Sequence, residues 1–464
     1  MTISRNRMGR AAAMTLSALL LILPVTSCER VRTDLLDAVD PDIIQPSTIS
    51  SPEAADALRI GTLSRFRGIT AGGEAWLLPG MLADEWKSSN TFSQHNETDQ
   101  RSVQESNSVL QGVSRALPRV RTSAREAINA LTKYKPAPAW GLGQMYFAMA
   151  VAELYTAENF CNGTPLGDGS TGVPIYGPQL TNVQVLNLAI AHFDSALALM
   201  LPATDASAVS LSTTIRIHKA RALVDLGQFS AAATLVAGVP TSFADALVSF
   251  SLVTGDNQIW SLNTSAKRYT VGDSIDVAGR IANAIPFASM NDTRVRVIGS
   301  STGTSAAGRG FDGSTNLVVQ TQYARSDPAY IASGIDARLI VAEARLQAQD
   351  IAGLMTILNT LRAETQKLAP NYITAILPTL ATPATQTEAV SLFFREKALW
   401  QFSRGFRLND LRRMVRQYGR TQDQVFPTGV FFKSGTPYAS DINFPVTVDE
   451  YNNPDFKGCF DRKA

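Results

Sequence analysis

Residues 141–160 carry apolar side chains on two faces of one predicted helix, and this feature constrains the fold most. The two faces hold Leu142, Met145, Met149 and Ala152 on one side and Tyr146, Ala150 and Leu154 on the other. A helix that is apolar on two faces is mostly buried. Other helices must therefore pack around it, and the sequence predicts a mainly α-helical body built about this segment.

Two further stretches each predict a pair of packed helices. In residues 217–240, apolar residues recur at helical spacing on both sides of Gly227, a residue suited to end a helix. In residues 334–363, Asp350 is placed to cap the second helix of a similar pair. Such pairs resemble tetratricopeptide repeats. Because long insertions separate them, we expect irregular repeats and not a uniform array.

Two stretches, about 72–96 and 241–325, have little helical periodicity and predict loop-rich insertions with short strands. Loops on a rigid scaffold commonly carry binding residues. Aromatic rings there offer flat apolar faces to sugar C–H groups. The candidate ligand contacts are therefore Trp76, Trp86, Phe92 and Trp260. The alternative is that each ring packs in the core of its own insertion, since Trp is highly buried on average.

The N-terminus reads as a secretory signal that ends at a cysteine. Arg5, Arg7 and Arg10 precede an uncharged apolar run, and small residues lead to Cys28. The run is too short for a transmembrane span, and a core helix would not need the flanking arginines. The site resembles the lipobox of bacterial lipoproteins, which implies cleavage after residue 27 and lipidation of Cys28. Residues 28–50 then form a linker from the lipid, and 51–464 form one domain.

Cys161 and Cys459 are the thiols that remain after Cys28, in a compartment that permits disulfides. Both lie in turn-like contexts, so pairing is the natural use; the alternative is two ordinary buried cysteines. The three histidines are scattered without ligand spacing, so the sequence indicates no metal site.

Charge and motifs exclude several functions. The formal net charge is +2, including the three leader arginines, so the rest of the chain is near neutral and no nucleic-acid partner is indicated. Gly299 to Gly303 fits the Gly-x-Ser-x-Gly spacing but lies in a predicted loop and not between a strand and a helix, as a nucleophile elbow does. Converging carboxyls of a glycosidase cannot be inferred from spacing. The charges of 395–413 lie beside a predicted aromatic helix and are interpreted as paired structural groups. The sequence therefore predicts neither an enzyme nor a cofactor.

Several of these stretches, in order, resemble the SusD/RagB family of outer-membrane nutrient-binding lipoproteins. The strongest match is 395–413, an Arg-Glu helix followed by Gly405-Phe406-Arg407 and Asp410-Leu411-Arg412-Arg413; Gln401 and Ser403 replace the acidic residues usual in the family. The other matches are Leu339 to Ala344, Asn291 to Arg294, Thr164-Pro165-Leu166, Phe444-Pro445 and Asn453-Pro454.

The resemblance implies a SusD-like fold of tetratricopeptide-like helix pairs. It also implies a lipoprotein on the outer-membrane surface that binds glycan or peptide. Its expected partner is a TonB-dependent transporter barrel of the SusC type, which imports the nutrient. The alternative is a tetratricopeptide-type scaffold lipoprotein for envelope assembly that binds no small ligand. The family's ligand residues vary, so none is transferred by motif.

Overall fold

The computed structural model describes residues 49–171, 175–200 and 204–464. The predicted signal peptide, Cys28 and nearly all of the predicted linker lie outside them. Helices predominate within the described part. They are α1 Pro52–Gly68, α2 Leu77–Leu82, α3 Ser93–Asp99, α4 Ser108–Tyr134, α5 Trp140–Asn159, α6 Asn182–Met200, α7 Ala206–Asp225, α8 Phe229–Val236, α9 Gln258–Trp260, α10 Gly334–Gln347, α11 Ile351–Arg362, α12 Gln386–Trp400, α13 Arg407–Tyr418 and α14 Gln422–Val425.

The strands are short, and they pair two by two in antiparallel hairpins and ribbons. They are β1 Trp86–Ser88, β2 Thr164–Pro165, β3 Gln179–Leu180, β4 Ala244–Asp245, β5 Tyr269–Val271, β6 Ile275–Asp276, β7 Gly279–Arg280, β8 Val297–Gly299, β9 Val318–Gln320, β10 Ala332–Ser333, β11 Lys367–Ala369 and β12 Tyr372–Ile373. The pairs are β1–β5, β2–β3, β4–β10, β6–β7, β8–β9 and β11–β12. This mainly α architecture with short strands confirms the predicted fold class.

Helix α5 is the central helix, as its two apolar faces predict. It is buried along nearly all of its length and packs between α4 and α6. Its Phe147 ring lies 5.7 Å from Phe66 of α1 and 6.3 Å from Phe193 of α6, centroid to centroid. Helix α6 is, in the described part, the one helix long and apolar enough to cross a membrane by length and composition. It packs its buried face on α5 and α7.

The two predicted helix pairs are present as α7–α8 and α10–α11. Gly227 follows α7 with φ at 75°, the left-handed conformation that glycine adopts without strain. Asp350 caps α11 by accepting a hydrogen bond from the Gly353 amide. The spacing of residues 99–131 predicts helices interrupted near Pro118, and this prediction is wrong, because α4 continues through Pro118. Proline removes one backbone donor there, and the buried face of α4 on α5 outweighs that loss.

Most charges of 395–413 are buried and paired, as interpreted from the sequence; Arg395 is exposed, and the buried Arg412 donates to backbone carbonyls instead of a carboxylate. Arg404 reaches Asp336 at 2.8 Å, and Arg407 reaches Asp84 at 2.6 Å. Glu396 accepts from two arginines of other segments, Arg294 at 2.7 Å and Arg362 at 2.8 Å. Removing one partner of such a buried pair leaves the other charge buried without a partner. These residues therefore hold the helices together.

The C-terminal stretch is joined to the end of α5 by a disulfide between Cys161 and Cys459, whose Cα atoms lie 6.0 Å apart. Backbone hydrogen bonds flank the bridge: the Cys161 amide donates to the Phe444 carbonyl at 2.8 Å, and the Phe460 amide donates to the Asn162 carbonyl at 2.8 Å. The irregular tail is thus fixed on the helical body.

Candidate ligand-binding site

A cavity of about 500 Å³ lies where the two insertions meet the C-terminal stretch. The first insertion contributes Lys87, Asn90, Thr91 and Asn96; the second contributes Thr270, Val271, Asp276, Val277, Ser301, Asp312, Ser314, Thr315, Asn316 and Val318; the C-terminal stretch contributes Phe432 and Lys433. We call this space the insertion cavity. Most of the lining residues are polar or charged, although apolar atoms form the larger part of the exposed wall.

Strand pairing and one close backbone contact bring these segments together. Strands β1 and β5 pair antiparallel, so Trp86 faces Val271 and Ser88 faces Tyr269. The loop that carries Asp312 attaches to them through the Asp312 amide, which donates to the Ser89 carbonyl at 3.0 Å. A Cβ at Gly310 would lie 2.3 Å from the Ser89 Cβ, so only glycine permits this approach.

Two lysines in the wall are each paired with an aspartate. Lys87 pairs with Asp276, and its ammonium lies 4.0 Å from the centre of the Phe432 ring. Lys433 pairs with Asp312 at 2.8 Å. Positive and negative groups are therefore balanced around the cavity, and an aromatic ring supports one of the cations.

Burial and hydrogen bonding set the ionisation of two carboxyls here. Burial of Asp312 opposes its charge, but hydrogen bonds from Lys433 and Thr315 outweigh that effect and lower its pKa to about 2. Asp99 lies behind the wall and accepts a hydrogen bond from the Ser88 amide at 2.7 Å. Its full burial raises its pKa to about 7, despite the nearby charges of Lys87 and Lys433.

A column of stacked groups stands beside the cavity. The Arg268 guanidinium lies 4.5 Å from the Phe92 ring centre and 4.4 Å from that of Phe311. His95 stacks on Phe92 at 6.3 Å, and Arg268 also donates to the Asn90 side chain at 3.2 Å. About half of each phenylalanine is exposed. We call Phe92, His95, Arg268 and Phe311 the aromatic column. It offers apolar surface next to polar groups, which suits a sugar ring.

The structure corrects two of the four aromatic candidates. Trp76 and Trp86 are in the core, with 2% and 0% of their surface exposed. Trp76 donates to the Tyr155 hydroxyl at 3.2 Å, and Trp86 packs on Tyr269 and Phe402. The half of the first insertion around α2 is apolar enough to be core, so these rings pack inward and cannot contact a ligand.

The other two candidates have different positions. Phe92 belongs to the aromatic column and directly follows Thr91 of the cavity wall. Trp260 is half-buried in α9 and does not line the insertion cavity; the Arg325 guanidinium lies 5.8 Å from its ring centre. Sequence reasoning thus found one of the column residues and the correct insertions.

The C-terminal contribution was missed. Phe432 and Lys433 lie after Gly419, where the sequence has no helical periodicity and predicts only an irregular stretch rich in Phe, Pro, Gly and Asn. Arg268 and Phe311 were inside the second insertion but carried no periodic signal. The aromatic content of the C-terminal stretch was the one available hint. Within the described residues, no group of three or more His, Cys, Asp or Glu side chains could hold a metal ion.

The sequence matches no protein-family model and no curated protein. Solved structures do match. A SusD-like protein from Bacteroides fragilis NCTC 9343 superposes with a TM-score of 0.62 at 13% identity, covering 90% of this chain and 98% of that one. The chain has the SusD-like fold.

Two other SusD-like structures agree with this assignment. A SusD-like carbohydrate binding protein from Bacteroides fragilis NCTC 9343 gives a TM-score of 0.61 at 12% identity, covering 88% of this chain and 99% of that one. A SusD superfamily protein from Bacteroides vulgatus ATCC 8482 gives 0.58 at 13% identity, with 88% and 98% covered. The fold expected from the ordered motifs is confirmed, and the likeness extends over most of both chains.

Proposed function

We propose that this SusD-like protein binds a glycan in the insertion cavity. The observation that carries the proposal is the cavity itself: loops of both insertions enclose hydroxyl, amide and charged groups beside an aromatic column. Sugars need this combination, because their hydroxyls both donate and accept hydrogen bonds while their C–H faces prefer aromatic rings. The description of two similar structures as carbohydrate binding proteins supports the same ligand class.

We further propose that the protein is a lipoprotein on the outer-membrane surface, anchored through Cys28, and that it delivers the glycan to a TonB-dependent transporter barrel of the SusC type. The leader sequence and the family resemblance support this part. Co-purification of a barrel protein with the lipidated, full-length chain after crosslinking of cells tests the partnership. Repeated recovery of the chain without any barrel would contradict it.

Calorimetric titration of the purified protein with a panel of oligosaccharides tests glycan binding. Phe92→Ala and Phe432→Ala should each weaken the binding of an active glycan by about 0.5–1.5 kcal/mol, the usual contribution of an aromatic contact. Phe460→Ala is the matched control: it removes a ring that is 54% exposed, against 46% for Phe92, and that lies beside Cys459. Equal losses in all three variants, or binding of peptides and no glycan, would contradict the proposal.

A further inference from the structure

We infer that the insertion cavity selects uncharged, hydroxyl-rich glycans and disfavours glycans that carry carboxylates. This inference rests on the proposed function and specifies its substrate class. The presence of Lys87 and Lys433 in the wall would suggest the opposite, a site for acidic sugars. The hydrogen-bond partners of the charged groups decide between the two.

Lys433 has no hydrogen-bonding capacity left for a ligand. An ammonium group has three donors. Its three donors go to the Asp312 carboxylate at 2.8 Å, the Asn90 carbonyl at 2.7 Å and the Asn96 side-chain oxygen at 3.0 Å. A carboxylate of a sugar could reach Lys433 only by displacing one of these partners.

The partner of Lys433 is equally occupied. One Asp312 oxygen accepts from the Ser314 and Thr315 amides at 2.9 and 2.8 Å, and the other accepts from the Thr315 hydroxyl at 2.6 Å and from Lys433. A carboxylate with four acceptor bonds has used its ordinary capacity. Its low pKa keeps it charged near neutral pH, so it stays paired with Lys433 and leaves that ammonium neutralised.

The second ion pair is less fully hydrogen-bonded, because among the described residues Asp276 is the one acceptor of the Lys87 ammonium, but little of that ammonium is open to a ligand. Lys87 is 7% exposed, pairs with Asp276 and lies against the Phe432 ring. The remaining Asp276 oxygen accepts from the Ala278 amide at 2.8 Å. Arg268 is committed to the aromatic column, and Asp99 behind the wall adds negative charge as it ionises. An added carboxylate would thus enter a wall without net positive charge, and like charges placed together are costly.

Apart from the covered Lys87–Asp276 pair, the lining groups with unused hydrogen-bonding capacity are neutral. Among the described residues, no hydrogen-bond partner is found for the Thr91 hydroxyl, the Asn96 amide nitrogen or the Ser314 hydroxyl, and all three residues line the cavity. Two hydroxyls that donate or accept and one amide that donates match sugar hydroxyls. The charged pairs therefore shape the wall, and these neutral groups remain to bind.

Paired ligands test the inference in the wild-type protein. Hexasaccharides of glucose, mannose and galactose are titrated beside their counterparts in which C6 is oxidised to a carboxylate. The acidic member of a bound pair should bind at least about tenfold more weakly. The affinity of the neutral member should stay constant as NaCl is raised, because no net charge is neutralised. Tighter binding of the acidic member, weakening with salt, would overturn the inference while leaving glycan binding intact. Failure of every pair to bind would overturn the proposed function itself.

Asp312→Asn supplies an independent variant. It removes the carboxylate that occupies Lys433, so the freed ammonium should raise the affinity of the acidic member relative to the neutral one by at least about fivefold. Asp449→Asn, which breaks the Arg115–Asp449 pair outside the cavity, is the matched control and should leave the ratio unchanged. An unchanged ratio in a folded Asp312→Asn protein would overturn the role given to this pair, and the salt series on wild type decides the question if the variant does not fold.

Discussion

Replacing Glu343 by Gln removes the carboxylate that ties α10 to α13. Glu343 has no exposed surface. It pairs with Arg413, accepts from the Tyr418 hydroxyl at 2.7 Å and lies 3.6 Å from the Lys397 ammonium. Glutamine keeps the shape of the side chain but leaves the buried Arg413 without its nearest opposite charge.

The expected loss of unfolding free energy is about 3–5 kcal/mol, the cost of breaking a buried pair by removing one partner. It should lie toward the lower end, because Arg413 keeps Asp410 at 3.3 Å and Asp225 at 3.5 Å. Burial by itself raises the pKa of Glu343, but the charges of Arg413 and Lys397 and the hydrogen bonds from Arg413 and Tyr418 outweigh it, and the pKa in the folded protein is lowered. A carboxyl with a lowered folded pKa contributes stability above its unfolded value of 4.5 and loses it as the pH falls through the folded value. The difference between wild type and variant should therefore be full at pH 7 and shrink in acid.

Urea unfolding at pH 7 and in a descending pH series measures this difference. Arg345→Gln is the matched control on the same helix: Arg345 is 57% exposed and pairs with Asp350 at 3.3 Å, so its loss should change the unfolding free energy by only about 0–1 kcal/mol. If Glu343→Gln were no more destabilising than Arg345→Gln, or if its effect grew in acid, the reasoning about the buried pair would be refuted.

Three further predictions follow from the fold and the leader. Trp86→Ala should lower the unfolding free energy by about 3–5 kcal/mol, because it opens a core cavity; a stable variant with lost glycan binding would restore Trp86 as a ligand contact. Cys161→Ser should destabilise by at most about 5–6 kcal/mol from chain entropy, given a separation of 298 residues; two free thiols in denatured, unreduced wild type would disprove the bridge. Cys28→Ala should abolish lipidation and release the chain from membranes on fractionation, and processed, membrane-bound variant would contradict the anchor.

Sequence patterns predicted the helical body because helical burial is local in the chain. The two apolar faces of 141–160 indicated a buried helix, and α5 is that helix. Gly227 and Asp350 marked the helix pairs through backbone conformation and capping, which depend on neighbouring residues alone. Pro118 shows the limit of such rules, since packing of the whole of α4 outweighed the loss of one donor.

The site was only partly predictable because three distant segments form it. Lys433 contacts Asn90 and Asp312, and no local pattern links residues so far apart in the chain. The prediction that Trp76 and Trp86 contact a ligand was wrong for a related reason. A ring in a non-helical stretch is compatible with a ligand contact and with a core position, and only the packing of Phe402 on Trp86 distinguishes them.

A crystal structure of the protein with a bound neutral oligosaccharide tests the central claim most directly. The account predicts a sugar inside the insertion cavity, with hydroxyls within hydrogen-bond distance of the Thr91 hydroxyl and the Asn96 amide nitrogen and with both lysine–aspartate pairs intact. A sugar bound outside this cavity, for example on Trp260, or one whose binding breaks the Lys433–Asp312 pair, would contradict it.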